Sequence, residues 1–115
     1  MSDNKDKLVV LWTSGDREVA LKMVFMYVRN AKIRGWWKDV TLIVWGPSAK
    51  LLSENKVLQE RVKQMIADGV KVEACVACAN MYGVADQLAA MGIEVKAMGP
   101  VLTFYLKENW KVLTF

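Results

Sequence analysis

Short runs of consecutive apolar residues alternate along the chain with longer segments whose apolar residues recur every three or four positions. "KLVVLW" (Lys7 to Trp12) reads as a buried strand, stopped by "TSGD". A helix is expected next, because Val19, Ala20, Met23, Val24, Tyr27 and Ala31 fall on one helical stripe. Ser14 or Thr13 is its expected N-cap, with Asp16 and Glu18 in the first turn. "DVTLIVW" (Asp39 to Trp45) is a second strand, ended by Gly46-Pro47. The face made by Leu58, Val62, Met65 and Ile66 marks a second helical segment, closed by Gly69. "VKVEAC" (Val70 to Cys75) is the third strand, followed by a helix through Val84, Leu88 and Met91. "IEVKAM" (Ile93 to Met98) is the fourth, Gly99-Pro100 opens a short helix, and "WKVLTF" (Trp110 to Phe115) is the fifth.

Five strands separated by helices require crossover connections, and such connections make the sheet mostly parallel. The expected fold is therefore a three-layer α/β/α sandwich on a five-stranded sheet, of flavodoxin-like proportions. The chain has 115 residues, a length that suits one core. Residues 7–115 are expected to form that single domain, after a flexible tail over residues 1–6. The continuous apolar character of the first two strands agrees with a sheet covered on both faces.

In such a sheet, ligands gather at the carboxyl ends of the strands. The loops there are "TSGD", "GPSAK", "CVACAN" and "MGP", so Thr13, Ser14, Gly46, Pro47, Asn80 and Gly99 are the candidate ligand-contacting positions. The third loop carries the chain's two cysteines, Cys75 at the strand end and Cys78 in the first turn of the next helix. Backbone N–H groups at a helix start favour the thiolate, the nucleophilic form. An inert role is equally open on spacing alone, since free cysteine is often a small buried apolar residue.

Other chemistries are poorly served. The chain has no histidine, which removes the usual base for a Ser or Cys nucleophile and the commonest transition-metal ligand. One C-x-x-C leaves a zinc site two ligands short, so no metal is expected. A thioredoxin-like dithiol is disfavoured because a strand-end and a helix cysteine are expected to point apart. "TSGD" is too short and too poor in glycine and hydroxyl groups to cradle a flavin phosphate, and a phosphorelay receiver would need acidic residues where Trp12 and Thr13 stand. No cofactor is expected.

The net charge of +4 is spread along the chain without a basic cluster, which argues against nucleic-acid binding. No apolar run reaches the ~20 residues of a membrane span. The start "MSDNKDK" lacks the pattern of a secretory or transit peptide, so the expected location is the cytoplasm, with both thiols reduced. An apolar fraction of 54% is more than a domain this small readily hides, and Leu21, Phe25 and Val28 lie off the main stripe of the first helix. Together these point to an interface along that helix and to a homo-oligomer. Trp36 and Trp37 are expected to cover a sheet edge or a subunit contact.

The third strand ending in cysteine, followed by "CVACANMYGV" with glycine eight positions on, resembles the DsrE/DsrF-like group of small sulfur-relay proteins, which includes the YchN-type fold. "LIVWGPSAKLL" and "GIEVKAMG" extend the similarity over the whole chain. The resemblance implies a cytoplasmic homo-oligomer, often a trimer or hexamer, whose strand-end cysteine carries a persulfide between donor and acceptor proteins. It maps that role to Cys75 and leaves Cys78 as a second acceptor, a resolving thiol or packing. Lys50 and Lys96 are candidates to stabilise an anionic persulfide, or are ordinary solvated lysines. The competing expectation is a non-catalytic binding module in which both cysteines are packing.

Overall fold

The computed structural model describes residues 3–115, so Met1 and Ser2 of the expected tail lie outside the described residues. A 3-10 turn at Asp3–Asp6 leads into β1 (Lys7–Trp12), and β2 (Asp39–Val44), β3 (Lys71–Cys75), β4 (Glu94–Lys96) and β5 (Lys111–Thr114) follow. They form one sheet in the order β4-β3-β2-β1-β5, with every pairing parallel. The helices are α1 (Arg17–Val19), α2 (Phe25–Ile33), α3 (Pro47–Glu54), α4 (Lys56–Ala67), α5 (Val76–Tyr82), α6 (Ala85–Ala90) and α7 (Met98–Lys107).

The layers are unequal, and strand order explains why. From β1 to β4 each step moves one strand in the same direction, so right-handed crossovers place α1 to α6 on one face. The last connection returns from β4 to the far side of β1, which puts α7 alone on the other face. The larger core accordingly joins Leu8, Val10 and Trp12 of β1 to Val24 and Val28, Leu52, Leu58, Val62 and Leu88. The smaller core holds Val9, Ile43, Cys75, Met98 and Tyr105. Alternation along the strands divides them between the two cores: Val72 and Ala74 face one, Glu73 and Cys75 the other.

Several helix boundaries depart from the sequence expectation. The N-cap of α1 is Asp16, whose carboxylate accepts from the N–H groups of Glu18 and Val19 at 2.7 and 3.2 Å. Ser14 and Thr13 are not available for that role. Ser14 Oγ accepts from the Asp16 N–H, and Thr13 donates its hydroxyl to the Phe115 carbonyl. A π-helical turn at Ala20–Val24 separates α1 from α2. It inserts one residue into the helical phase, so Phe25 and Val28 turn into the core while Met23 becomes 52% exposed. A further helix, α3, precedes the segment expected through Leu58 to Ile66, which is α4 and is capped by the Asn55 side chain. The helix expected after β3 is split at Gly83, which is left-handed with φ 69°. Gly99-Pro100 lies inside the first turn of α7, which begins at Met98. Trp37 packs on the larger core with its indole N–H on Tyr27 Oη at 3.0 Å, whereas Trp36 is exposed.

Candidate functional site

β3 and β4 are neighbours, yet the helices that follow them leave for opposite faces of the sheet. This is the topological switch point, where the two connections diverge and open a crevice at the strand ends. Cys75 stands there as the last residue of β3, paired in register with Lys96, the last residue of β4. It is also the N-cap residue of α5, and Cys78 follows in the first helical turn. Cys75 is buried beside Ile43, Met98 and Tyr105, while Cys78 is partly exposed and packs against the same cluster.

The two thiols do not point apart. Both pack in the same cluster, and the Cys78 thiol lies close to Cys75 and to the backbone of Gly46. Burial and the neighbouring Cys75 push the Cys78 thiol up, against the lowering effect of the Gly46 hydrogen bond. Cys78 therefore keeps its proton at neutral pH. Gly46 reaches this position from the end of β2 with φ 71° and ψ −138°, a backbone conformation open to glycine and strained for other residues.

Of the other predicted positions, Pro47 is the first residue of α3, beside Gly46. Ser48 locks this junction to β1, its hydroxyl donating to the Trp12 carbonyl at 2.5 Å and its N–H to the Thr13 carbonyl at 3.1 Å. Thr13 and Ser14 donate their N–H groups to the Phe115 carbonyl, a structural clamp between β1 and β5. Asn80 is exposed in the last half of α5, and its carbonyl accepts from Gly83. Gly99 is exposed on α7, where its carbonyl accepts from Thr103. Lys50 is exposed on α3. Lys96 is not a free solvated lysine: its ammonium pairs with Glu73 at 2.6 Å and Glu94 at 3.1 Å.

Glu73 is the residue that sequence reasoning passed over. Its side chain is fully buried, with Oε1 accepting from Tyr105 Oη at 2.7 Å and Oε2 facing Lys96 and, at 3.5 Å, Lys71. Burial pushes the carboxyl up, but the contacts with Lys96, Tyr105 and Lys71 outweigh it, so Glu73 stays below its ordinary range. Lys96 is raised by its contact with Glu73, and Tyr105 is raised by burial and by the same carboxylate. The group lines a shallow cleft of about 380 Å³ whose walls include Phe104, Tyr105 and Trp110, the last two stacked at 4.3 Å. A signal existed: a carboxylate in mid-strand, flanked by apolar residues in a sheet covered on both faces, requires a partner. Among the described residues no cluster of three or more Cys, Asp or Glu could hold a metal ion, and no helix is long and apolar enough to cross a membrane.

The sequence profile of the DsrE/DsrF-like family matches residues 6–115. A conserved protein of unknown function from Bacteroides thetaiotaomicron is 40% identical, superposes with a TM-score of 0.93, and the match covers 96% of this chain and 95% of that one. The ychN protein of E. coli shares the fold at 17% identity and TM-score 0.71, over 96% of this chain and 99% of its own. A protein of unknown function from Methanobacterium thermoautotrophicum does so at 17% identity and TM-score 0.79, over 95% and 98%. No curated protein matches the sequence. With a family profile spanning the whole domain and the same architecture in these relatives, the chain belongs to the DsrE/DsrF-like family.

Proposed function

We propose that this protein carries sulfane sulfur as a persulfide on Cys75. The observation that supports the reading is the pairing of two thiols at the switch point, where Cys75 and Cys78 pack in one cluster near the Gly46 backbone. The Cys75 thiolate attacks the outer sulfur of a donor persulfide, the donor's S–S bond breaks, and the donor leaves as a thiolate. No net oxidation occurs and no cofactor is required. The reverse exchange with an acceptor thiol unloads the protein. Burial of Cys75 shields the bound sulfur from solvent, and transfer therefore takes place inside a docked complex. Reduced thiols suit the cytoplasm.

Assembly of like subunits belongs to the same reading. Met23, Met26 and Trp36 leave an exposed apolar patch on the α2 side, lining one hollow with Tyr27. Light scattering is expected to report an oligomer, and a monomer at all concentrations would refute this part.

The burial of Cys75 among Ile43, Met98 and Tyr105 also favours a second reading, in which the thiol only packs a ligand-binding module. Intact-mass analysis after exposure to inorganic polysulfide separates the two. Added sulfur is expected on Cys78→Ser, which keeps Cys75, and much less on Cys75→Ser. Cys78→Ser without added sulfur, or Cys75→Ser loading equally well, would overturn the carrier assignment.

A further inference from the structure

Cys75 closes a strand and Cys78 lies in the first turn of the helix that follows, yet both side chains pack in one cluster. Residues three apart across a helical turn lie on one side, with Cα atoms about 5 Å apart by helix geometry. That separation falls within the roughly 4.4–6.8 Å that a disulfide spans. Both side chains share the smaller core, and Cys78 is the more accessible of the two. An acceptor protein has to reach sulfur held on a buried residue, whereas Cys78 already lies in the same cluster.

We propose that Cys78 is a resolving thiol: it attacks the Cys75 persulfide, releases hydrosulfide and closes a Cys75–Cys78 disulfide. This rests on the reading that Cys75 accepts sulfane sulfur. A bond forms between the Cys78 sulfur and Cys75 Sγ, and the bond from Cys75 Sγ to the outer sulfur breaks. The electron pair leaves with the outer sulfur, which keeps the persulfide proton and departs as HS⁻, while the Cys78 proton passes to solvent. The two cysteines lose two electrons between them, and the sulfane sulfur gains two. A dithiol reductant then reopens the disulfide by exchange. The protein thus has two exits for its sulfur, transfer to a docked acceptor thiol or reduction to hydrosulfide at the expense of a dithiol.

The test is anaerobic. Reduced wild type, Cys78→Ser, Cys78→Ala and Cys75→Ser are each mixed with about one equivalent of glutathione persulfide, and intact mass and bimane-trapped hydrosulfide are followed. The wild type is expected to end about 2 Da lighter and to release about one hydrosulfide per chain, beyond any released by Cys75→Ser. Folded Cys78 variants, checked by circular dichroism, are expected to retain about 32 Da and release none. If those variants hold the added sulfur and the wild type holds it equally long without hydrosulfide, the resolving role is refuted while the carrier reading stands. If neither Cys78 variant gains sulfur, the carrier reading fails and the resolving role falls with it.

Discussion

Glu73→Gln separates charge from shape in the buried cluster on β3. The amide retains an acceptor for Tyr105 but removes the carboxylate that holds Lys96 and Lys71. Two losses combine. A hydrogen bond to a charged acceptor is stronger than to a neutral one by about 1 kcal/mol. The ion pairs add less than a fully buried pair would, because the side chains of Lys96 and Lys71 are 35% and 49% exposed and remain solvated. A contribution of up to about 1 kcal/mol suits such partly screened pairs. Removing the charge also relieves its desolvation, which favours glutamine. The sign follows from the lowered carboxyl: attraction outweighs burial, so the charged form is the stabilising one. The expected net loss is about 1–2 kcal/mol at neutral pH, or roughly 4–8 °C in Tm for a chain of this size.

The pH dependence gives the same argument a second test. A carboxyl that titrates lower in the folded state contributes fully above its unfolded value and loses that contribution as pH falls through the folded one. Glu73→Gln lacks the contribution at every pH. Urea unfolding followed by circular dichroism from neutral pH to about pH 3 should therefore show the gap between the two proteins closing in acid. Equal stability at neutral pH, or a gap that persists unchanged in acid, would refute the reasoning.

Gly46→Ala meets no atom within 4 Å of the added Cβ, so its cost is backbone strain alone, about 1–3 kcal/mol. If the Gly46 backbone is displaced from Cys78, alkylation of that thiol in a Cys75→Ser background should slow at mildly alkaline pH; an unchanged rate would refute the contact. Asp16→Ala is expected to lose about 1 kcal/mol of stability through the vacated N-cap, more than Ser14→Ala loses, and equal losses in urea unfolding would contradict the cap assignment. Leu42→Ala, at a fully buried position in the sheet centre, should cost about 2–5 kcal/mol by the same measurement; a cost below 1 kcal/mol would count against the packing described.

Much of the fold was legible because strand and helix periodicities are local properties of the chain. The alternation of "KLVVLW", "DVTLIVW" and "KVEAC" with helical stripes implies parallel strands and crossovers, whatever the distant contacts are. Gly46-Pro47 could likewise be read as an interruption, whereas the break at Gly83 could not. The phase of the first helix was not legible, because the π turn at Ala20–Val24 exchanges which of Met23, Phe25 and Val28 face the core. Nothing in the composition of Ala20–Val24 distinguishes a π turn from an α turn.

At the candidate site the division is sharper. Residue order alone determined that Cys75 ends a strand, that Cys78 follows within one helical turn, and that no histidine accompanies them. Strand order decided the rest. Only the return of the chain from β4 to the outer side of β1 makes β3 and β4 the switch point and leaves α7 to cover the face that carries Cys75. Only that same packing brings Tyr105, 32 residues away, onto Glu73. Periodicity is set by neighbours along the chain, whereas a buried carboxylate and a thiol pair acquire their chemistry from groups that the tertiary fold carries to them.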